Sequence, residues 1–234
     1  MSLPVFRVAS YNLQKCIGWD LRRRPDRSLK VIEATGAPLV VLQEADKRLP
    51  PRPAALPHDL LEAHGWRALP FGAPGGSLGW HGNAMIMRPD LGIRDTAHIE
   101  LPGLEPRGAV CADLETPVGP LRVLGLHLGL VRRYRILQLT TIIRALRDLP
   151  QRPTLLAGDF NEWGAGRDLQ AVLHGFRLIS PGASFPSPRP VAPLDRFAIG
   201  PGLTLHDRGA LRRSPARVAS DHLPVWAEIA PDRP

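Results

Sequence analysis

Apolar residues along the chain fall into short runs bounded by polar or turn-forming residues, the pattern of buried strands rather than of long amphipathic helices. Strands are expected at Phe6–Asn12, Leu39–Gln43, Ala84–Arg88, Ala109–Glu115, Leu121–His127, Thr154–Gly158, Leu194–Ile199 and Pro224–Ala230. Two segments carry helical spacing instead. One is Asp26–Thr35, which stops near Gly36 and Pro38; the other is Arg132–Leu149, where Ile136, Leu139, Ile143 and Leu146 share a face. Shorter helices are expected at Pro57–His64 and Arg167–Leu173. Pro and Gly concentrate in Leu49–Pro57, Phe71–Gly82 and Pro181–Pro193, which read as surface loops. No composition break or fixed-period repeat divides the chain, so one domain is expected over residues 1–234. Strands outnumber helices and helices occur in both halves, which predicts an α/β architecture of two packed sheets with helices outside.

The polar residues that close the apolar runs are unusual as a set. Phe6–Tyr11 runs into Asn12, Leu39–Gln43 into Glu44, Val123–Leu126 into His127, and Thr154–Gly158 into Asp159 and Asn161. Asp195 opens the run that ends in Phe197–Ile199, and Asp221 and His222 precede the run from Pro224. Turn chemistry explains one strand-end Asp or Asn, but Glu and His have no such preference. Carboxylate and amide oxygens suit a hard cation, Mg2+ or Mn2+. Histidines beside aspartates supply groups that titrate near neutrality. Together these types are equipped for metal-assisted phosphoester hydrolysis.

Composition narrows the picture only a little. Two cysteines, Cys16 and Cys111, are too few and too far apart for a disulfide framework or structural zinc, and each is expected to be buried. The formal charge is +8, carried almost entirely by arginine, with lysine only at Lys15, Lys30 and Lys47. The densest clusters, Arg22–Arg24 and Arg132–Arg135, are expected to be solvated surface, so nucleic acid stays open as a partner without being required. No charged leader precedes an apolar stretch and no segment reaches membrane-span length, so a soluble cytoplasmic protein is expected; a monomer is expected as well.

The motifs SYNLQ, LQEAD, GNAM, LHLGL, AGDFNEW, FPSPRPVAPLDRFAIG and SDHLPV, from Ser10 to Val225, resemble in order and spacing those of the endonuclease/exonuclease/phosphatase superfamily. The resemblance implies a four-layer α/β-sandwich, two central mostly antiparallel sheets flanked by helices, with the site at one rim. It implies a metal carboxylate at Glu44, with Asn12 orienting metal or phosphate and Asp221 near the metal. It further implies that Asp159 orients or deprotonates the attacking water and that Asn161 holds a nonbridging oxygen. His222 is oriented by Asp195, the base role being shared between Asp159 and His222, and His127 is a second phosphate contact. Arg107 and Asn83 are further candidates for the substrate phosphate, against a surface ion pair and a turn respectively. Trp19, Trp80 and Trp163 lie near motif loops, where stacking on substrate competes with ordinary partial burial. The expected reaction is in-line attack of water on a phosphodiester of a nucleic acid, a phospholipid or a small phosphorylated metabolite. A DNA-repair endonuclease and a catalytically silent scaffold of the same fold are the alternatives.

Overall fold

The computed structural model describes residues 4–47, 53–72 and 76–232; the start of the loop expected from Leu49 lies outside them. Two six-stranded sheets form the centre. The first contains β1 (Phe6–Asn12), β2 (Leu39–Gln43), β3 (Arg67–Ala68), β4 (Ala84–Met87), β11 (Leu203–Ala210) and β12 (Val225–Pro231), in the order β11-β12-β1-β2-β4-β3. The second contains β5 (Gly92–Leu101), β6 (Arg107–Thr116), β7 (Gly119–His127), β8 (Thr154–Asp159), β9 (Arg177–Ile179) and β10 (Asp195–Ile199), in the order β5-β6-β7-β8-β10-β9. Within each sheet one neighbouring pair is parallel, β1 with β2 and β7 with β8, and the other pairs are antiparallel. A parallel pair needs a crossover. Helix α1 (Pro25–Glu33) makes the first crossover and α3 (Arg132–Arg147) the second.

Period-two alternation sorts the side chains into layers. Val8, Val41, Met85, Val123, Leu155 and Phe197 point between the sheets and form the central core. Ala9, Tyr11, Val40 and Leu42 point the other way, against Leu29, Val31 and Ile32 of α1 and Leu61 of α2 (His58–Ala63). On the far side, Leu124, Leu126 and Leu156 meet Leu139, Ile142 and Ile143 of α3 and Leu169 of α4 (Arg167–Val172). Each fully buried Leu, Val or Phe in these layers stabilises the fold by about 2 kcal/mol relative to exposure. The result is the expected four-layer sandwich.

The strands missing from the sequence reading are β3, β5, β9 and β11, and they are the four sheet edges. An edge strand has no neighbour on one side, and here β5 and β11 are largely exposed, so no apolar run marks them. The short helix α5 (Ala216–Ala219) spans a single turn, too short to show a helical period in the sequence. Arg135 departs from the solvated-surface expectation: it is buried and bonded to Glu162 at 2.9 Å. Both cysteines are free and buried, and burial pushes their thiols up to about 11 for Cys16 and about 12 for Cys111.

Candidate active site

Both parallel pairs end at the same rim. Asn12 stands opposite Gln43 at the end of β1 and β2, with Glu44 next along the chain. In the other sheet, His127 pairs with Asp159 across β7 and β8, and Asp159 pairs with Asp195 across β8 and β10. Ladder register therefore places His127, Asp159 and Asp195 side by side, although their sequence spacing hides it. Asp221 and His222 enter from the segment between α5 and β12.

Asp159 Oδ2 is where the two sheets converge. The Asn12 amide donates to it at 3.2 Å, while His127 Nε2 lies 3.5 Å and His222 Nε2 3.7 Å away. The other carboxylate oxygen, Oδ1, accepts the backbone N–H of Asn161 at 2.8 Å. Asn161 itself has a left-handed φ of 50° and donates its amide to the Leu128 carbonyl at 2.8 Å. Glu44 is also left-handed, at φ 49°, a conformation that costs a non-glycine residue about 1 kcal/mol or more and concentrates at functional sites.

The two histidines have opposite charge tendencies. Burial opposes an imidazolium at His222, but the Asp195 carboxylate, 2.8 Å from Nδ1, outweighs it with help from Asp159 and Asp221 and raises the group to about 10. Asp195 is fully buried, and its Oδ1 has no hydrogen-bond partner among the described residues, so the imidazolium is its main compensation. At His127 burial wins over Asp159, the Arg107 charge adds to it, and the group falls to about 3. One site thus holds a charged and a neutral imidazole against a single carboxylate oxygen.

A cavity of about 440 Å³ gathers Asn12, Glu44, Arg107, His127, Asp159 and Asn161 with Asp221 and His222. Its other wall is apolar, made by Leu130, Trp163, Phe185 and Leu194. Phe185 lies 5.0 Å from the His222 ring and meets Trp163 edge-on at 5.7 Å. A second cavity of about 410 Å³ adjoins it through Glu44, Arg107 and His127 and adds Lys15 and Lys47.

Of the residues singled out from the sequence, Asn83 is not brought into this cavity. Its amide is buried and donates to the Gly108 carbonyl at 2.8 Å, so it ties the loop before β4 to β6 rather than facing substrate. Arg107 does line the cavity, while also pairing with Glu105 at 2.6 Å. Trp80 stacks on His98 at 4.6 Å and lines neither cavity, whereas Trp163 lines the site at 62% exposure and Trp19, half exposed, donates its indole N–H to Ser187.

Three supporting residues carry no signal of their own in the sequence. Lys15 forms an ion pair with Glu44, and Gln14 accepts the Asp221 N–H at 3.1 Å. The Ser220 hydroxyl donates to the Asn12 carbonyl at 2.7 Å and accepts the His222 N–H at 3.2 Å. Gln14 and Lys15 directly follow the SYNL motif and Ser220 opens SDH, so adjacency was the available signal.

Two acidic groupings bear on metal binding. Asp159, Asp195 and His222 place one ligand atom each within 4.8 Å of one another. A charged imidazole whose Nδ1 is already committed to Asp195 is a poor metal ligand, however, so this trio suits proton and charge handling better. Glu44 and Asp221 form the other grouping. Burial raises the Asp221 carboxyl, and the Glu44 charge adds to that rise. Two carboxylates and the Asn12 amide on one cavity wall fit a hard divalent cation, which would compete with the Lys15 ammonium for Glu44.

A family model described as "Endonuclease/Exonuclease/phosphatase family" matches residues 9–222. The uncharacterised protein YbhP of Escherichia coli K12 is 31% identical over 165 residues, 64% of this chain, and the chain spans only 63% of that relative's length. An endonuclease/exonuclease/phosphatase family protein from Bacteroides thetaiotaomicron superposes with a TM-score of 0.79 at 18% identity, covering all of both chains. The mannosyl-6-phosphatase Bt3783 from B. thetaiotaomicron VPI-5482 superposes with a TM-score of 0.76 at 18% identity, over 96% of this chain and 99% of that one.

Proposed function

The chain belongs to the endonuclease/exonuclease/phosphatase family, and from that premise we propose that it hydrolyses a phosphodiester by in-line attack of water in a reaction dependent on Mg2+ or Mn2+. The observation that carries this reading is the convergence of Asn12, His127 and His222 on one oxygen of Asp159. A structural carboxylate has no use for three such neighbours, whereas a water-activating carboxylate needs them for orientation and charge.

Asp159 accepts the water proton as the new O–P bond forms. His222, already charged at neutral pH, is poorly placed to act as a base and instead stabilises the negative charge that develops on phosphorus-bound oxygen. Asp195 keeps it charged and oriented. In this reading neutral His127, through the Nε2 N–H that it shares with Asp159, and the second N–H of the Asn161 amide donate to nonbridging oxygens, and Arg107 is a charged donor among the same lining residues. Glu44, Asp221 and Asn12 are the residues that would hold the cation, which when bound polarises a phosphate oxygen and stabilises the leaving alkoxide. The leaving alkoxide then takes a proton from solvent.

The test is hydrolysis of bis(p-nitrophenyl) phosphate with Mg2+, Mn2+ or chelator, in wild type and in Asp159→Asn and His222→Gln. Metal-dependent turnover is expected in the wild type, reduced about a hundredfold or more in each variant. Turnover insensitive to chelator, or unchanged in both variants, rules the mechanism out. A wild type without turnover on phosphodiesters or phosphomonoesters points to the silent scaffold instead. Bt3783 carries the name mannosyl-6-phosphatase, so including a sugar phosphate tests whether this chain accepts such a substrate.

A further inference from the structure

The face that carries the cavity is also where the molecule keeps its exposed apolar side chains. Ten large hydrophobic residues are exposed among the described residues; seven of them, on loops, and Val218, on α5, belong to segments that line the cavity, adjoin it or are bonded to its walls, and Val5 and Leu137 are the others. On one side are Leu104, Leu130, Val131 and Trp163, with Leu130 and Trp163 lining the cavity itself at 66% and 62% exposure. On the opposite side are Trp19, Leu21, Val191 and Val218.

Backbone bonds fix this second group to the site. The Trp19 N–H donates to the Val218 carbonyl at 3.0 Å, and its indole donates to the Ser187 hydroxyl at 3.0 Å. The Ser187 N–H in turn donates to the Asp221 carbonyl, and Val191 to that of Phe185. Leu21 is the tip of the turn, 86% exposed and left-handed at φ 57°. A bulky residue in that conformation is strained, and one so exposed recovers nothing by packing internally. Strain and exposure at one position mark an apolar tip presented to something outside the chain.

Charge says what that something is. Arg22 follows Leu21, Arg189 lies two residues before Val191, and Arg212 and Arg213 precede the helix that carries Val218; all four are exposed and none is paired with a carboxylate among the described residues. Of the nearby acids, Asp20 is paired with Arg27 through bonds of 2.7 and 2.9 Å and Asp26 with Arg24, while Asp221 is turned into the cavity beside His222. Such a face repels a second copy of itself in a symmetric contact. Single-stranded nucleic acid would use the arginines, but its bases stack on aromatic rings and gain little from aliphatic side chains, and six of the eight residues are aliphatic. Aliphatic tips beside arginines match an anionic lipid interface, where acyl chains take the apolar groups and headgroup phosphates take the cations.

We propose that this face docks on anionic phospholipid surfaces, with Leu21, Trp19 and Leu130 entering the interface and the arginines on its headgroups, so that the cavity opens toward the membrane. Docking needs no turnover, so it can fail while the proposed hydrolysis stands, and the reverse.

The test is co-sedimentation of the full chain with vesicles of phosphatidylcholine alone or mixed with phosphatidylglycerol. Binding to the mixed vesicles, weakened by added salt, is expected. Leu21→Asn and Leu130→Glu should each lower it about tenfold, since each takes one apolar side chain out of the interface; Arg212→Gln with Arg213→Gln should lower it by a similar factor. Asn also suits the left-handed position, so Leu21→Asn should raise the melting temperature while weakening docking, and should leave hydrolysis of a soluble diester unchanged. Opposite signs in the two readouts cannot come from misfolding. No binding to mixed vesicles, or binding undiminished in Leu21→Asn, overturns the proposal. So does preference for a single-stranded oligonucleotide that vesicles fail to displace, or self-association that hides the face.

Discussion

Replacing Asp195 by Asn removes one negative charge from beside His222 and keeps a side chain of the same shape. The structure sets the scale of the effect. Asp195 is fully buried and lies 2.8 Å from His222 Nδ1, and its carboxylate is the largest influence that favours the imidazolium against burial. A hydrogen bond to a charged group contributes about 1.5–3 kcal/mol, and each pH unit corresponds to about 1.36 kcal/mol. The variant imidazole should therefore titrate about one to two pH units below the wild-type value of about 10. Long-range 15N correlation spectra of the ring follow this directly.

The same substitution carries a stability signature whose sign is fixed. The folded value of His222 lies above its ordinary 6.5, so the charged pair stabilises the fold fully below pH 6.5 and loses that contribution as pH rises through about 10. The gap in unfolding free energy between wild type and Asp195→Asn should be widest below pH 6.5 and close toward pH 10. Hydrolysis of bis(p-nitrophenyl) phosphate should fall about a hundredfold at neutral pH. An unchanged ring titration together with an unchanged rate would show that Asp195 does not sustain the charge, and the assignment of His222 as charge stabiliser would go with it.

Three further perturbations probe separate parts of the structure. Burial favours the neutral form of Glu162, but the Gly164 N–H and Arg135 outweigh it and hold the carboxyl below its ordinary 4.5, so its stabilisation is present above that pH and lost as pH falls further; melting curves of wild type and Glu162→Gln should converge in acid, and a constant difference would contradict the linkage. A Cβ on Gly158 would stand 1.9 Å from the Leu126 carbonyl, inside the parallel ladder that carries Asp159, so Gly158→Ala should cost about 3 kcal/mol and lower the melting temperature by about 10 °C; a shift within error would mean that β7 and β8 separate more easily than their packing indicates. Lys15→Met frees Glu44 from its ammonium partner, and Mn2+ affinity measured by calorimetry should rise about fivefold, the order expected for a partly exposed pair; unchanged or weaker binding would place the cation elsewhere, the trio of Asp159, Asp195 and His222 being the next candidate.

What the sequence disclosed follows the distribution of burial. All eight strands read from it are interior to their sheets, where both neighbours and both faces demand apolar residues; the four it missed are edges, where one side faces solvent. The chemistry was legible for a related reason. Asn12, Glu44, His127 and Asp159 interrupt buried runs, and a polar residue is conspicuous only against an apolar background. Trp19 and Trp163 show the limit: both sit in loops, and whether a loop tryptophan is covered depends on distant elements that no local pattern reports. The opposite charge tendencies of His127 and His222 were hidden as well, because each is set by the balance between burial and carboxylates brought from other strands: Asp195 outweighs burial at His222, and Asp159 does not at His127.

The position of the site has a topological cause. Antiparallel neighbours send alternate strand ends to opposite rims, so a sheet built only from them offers few adjacent carboxyl ends at one rim. Each sheet here contains one parallel pair, β1 with β2 and β7 with β8, and each pair delivers two strand ends together. The hydrogen bond from Asn12 to Asp159 joins the ends of the two pairs across the interface between the sheets. The crossover helices α1 and α3, which look like outer covering, are thus what allows the pairs to be parallel and the polar ends to coincide. This extends to the sandwich the rule that open α/β sheets bind ligands beyond the carboxyl ends of parallel strands. It also explains why β10 can add Asp195 from the antiparallel direction: its first residue, rather than its last, lies at that rim, in register with Asp159.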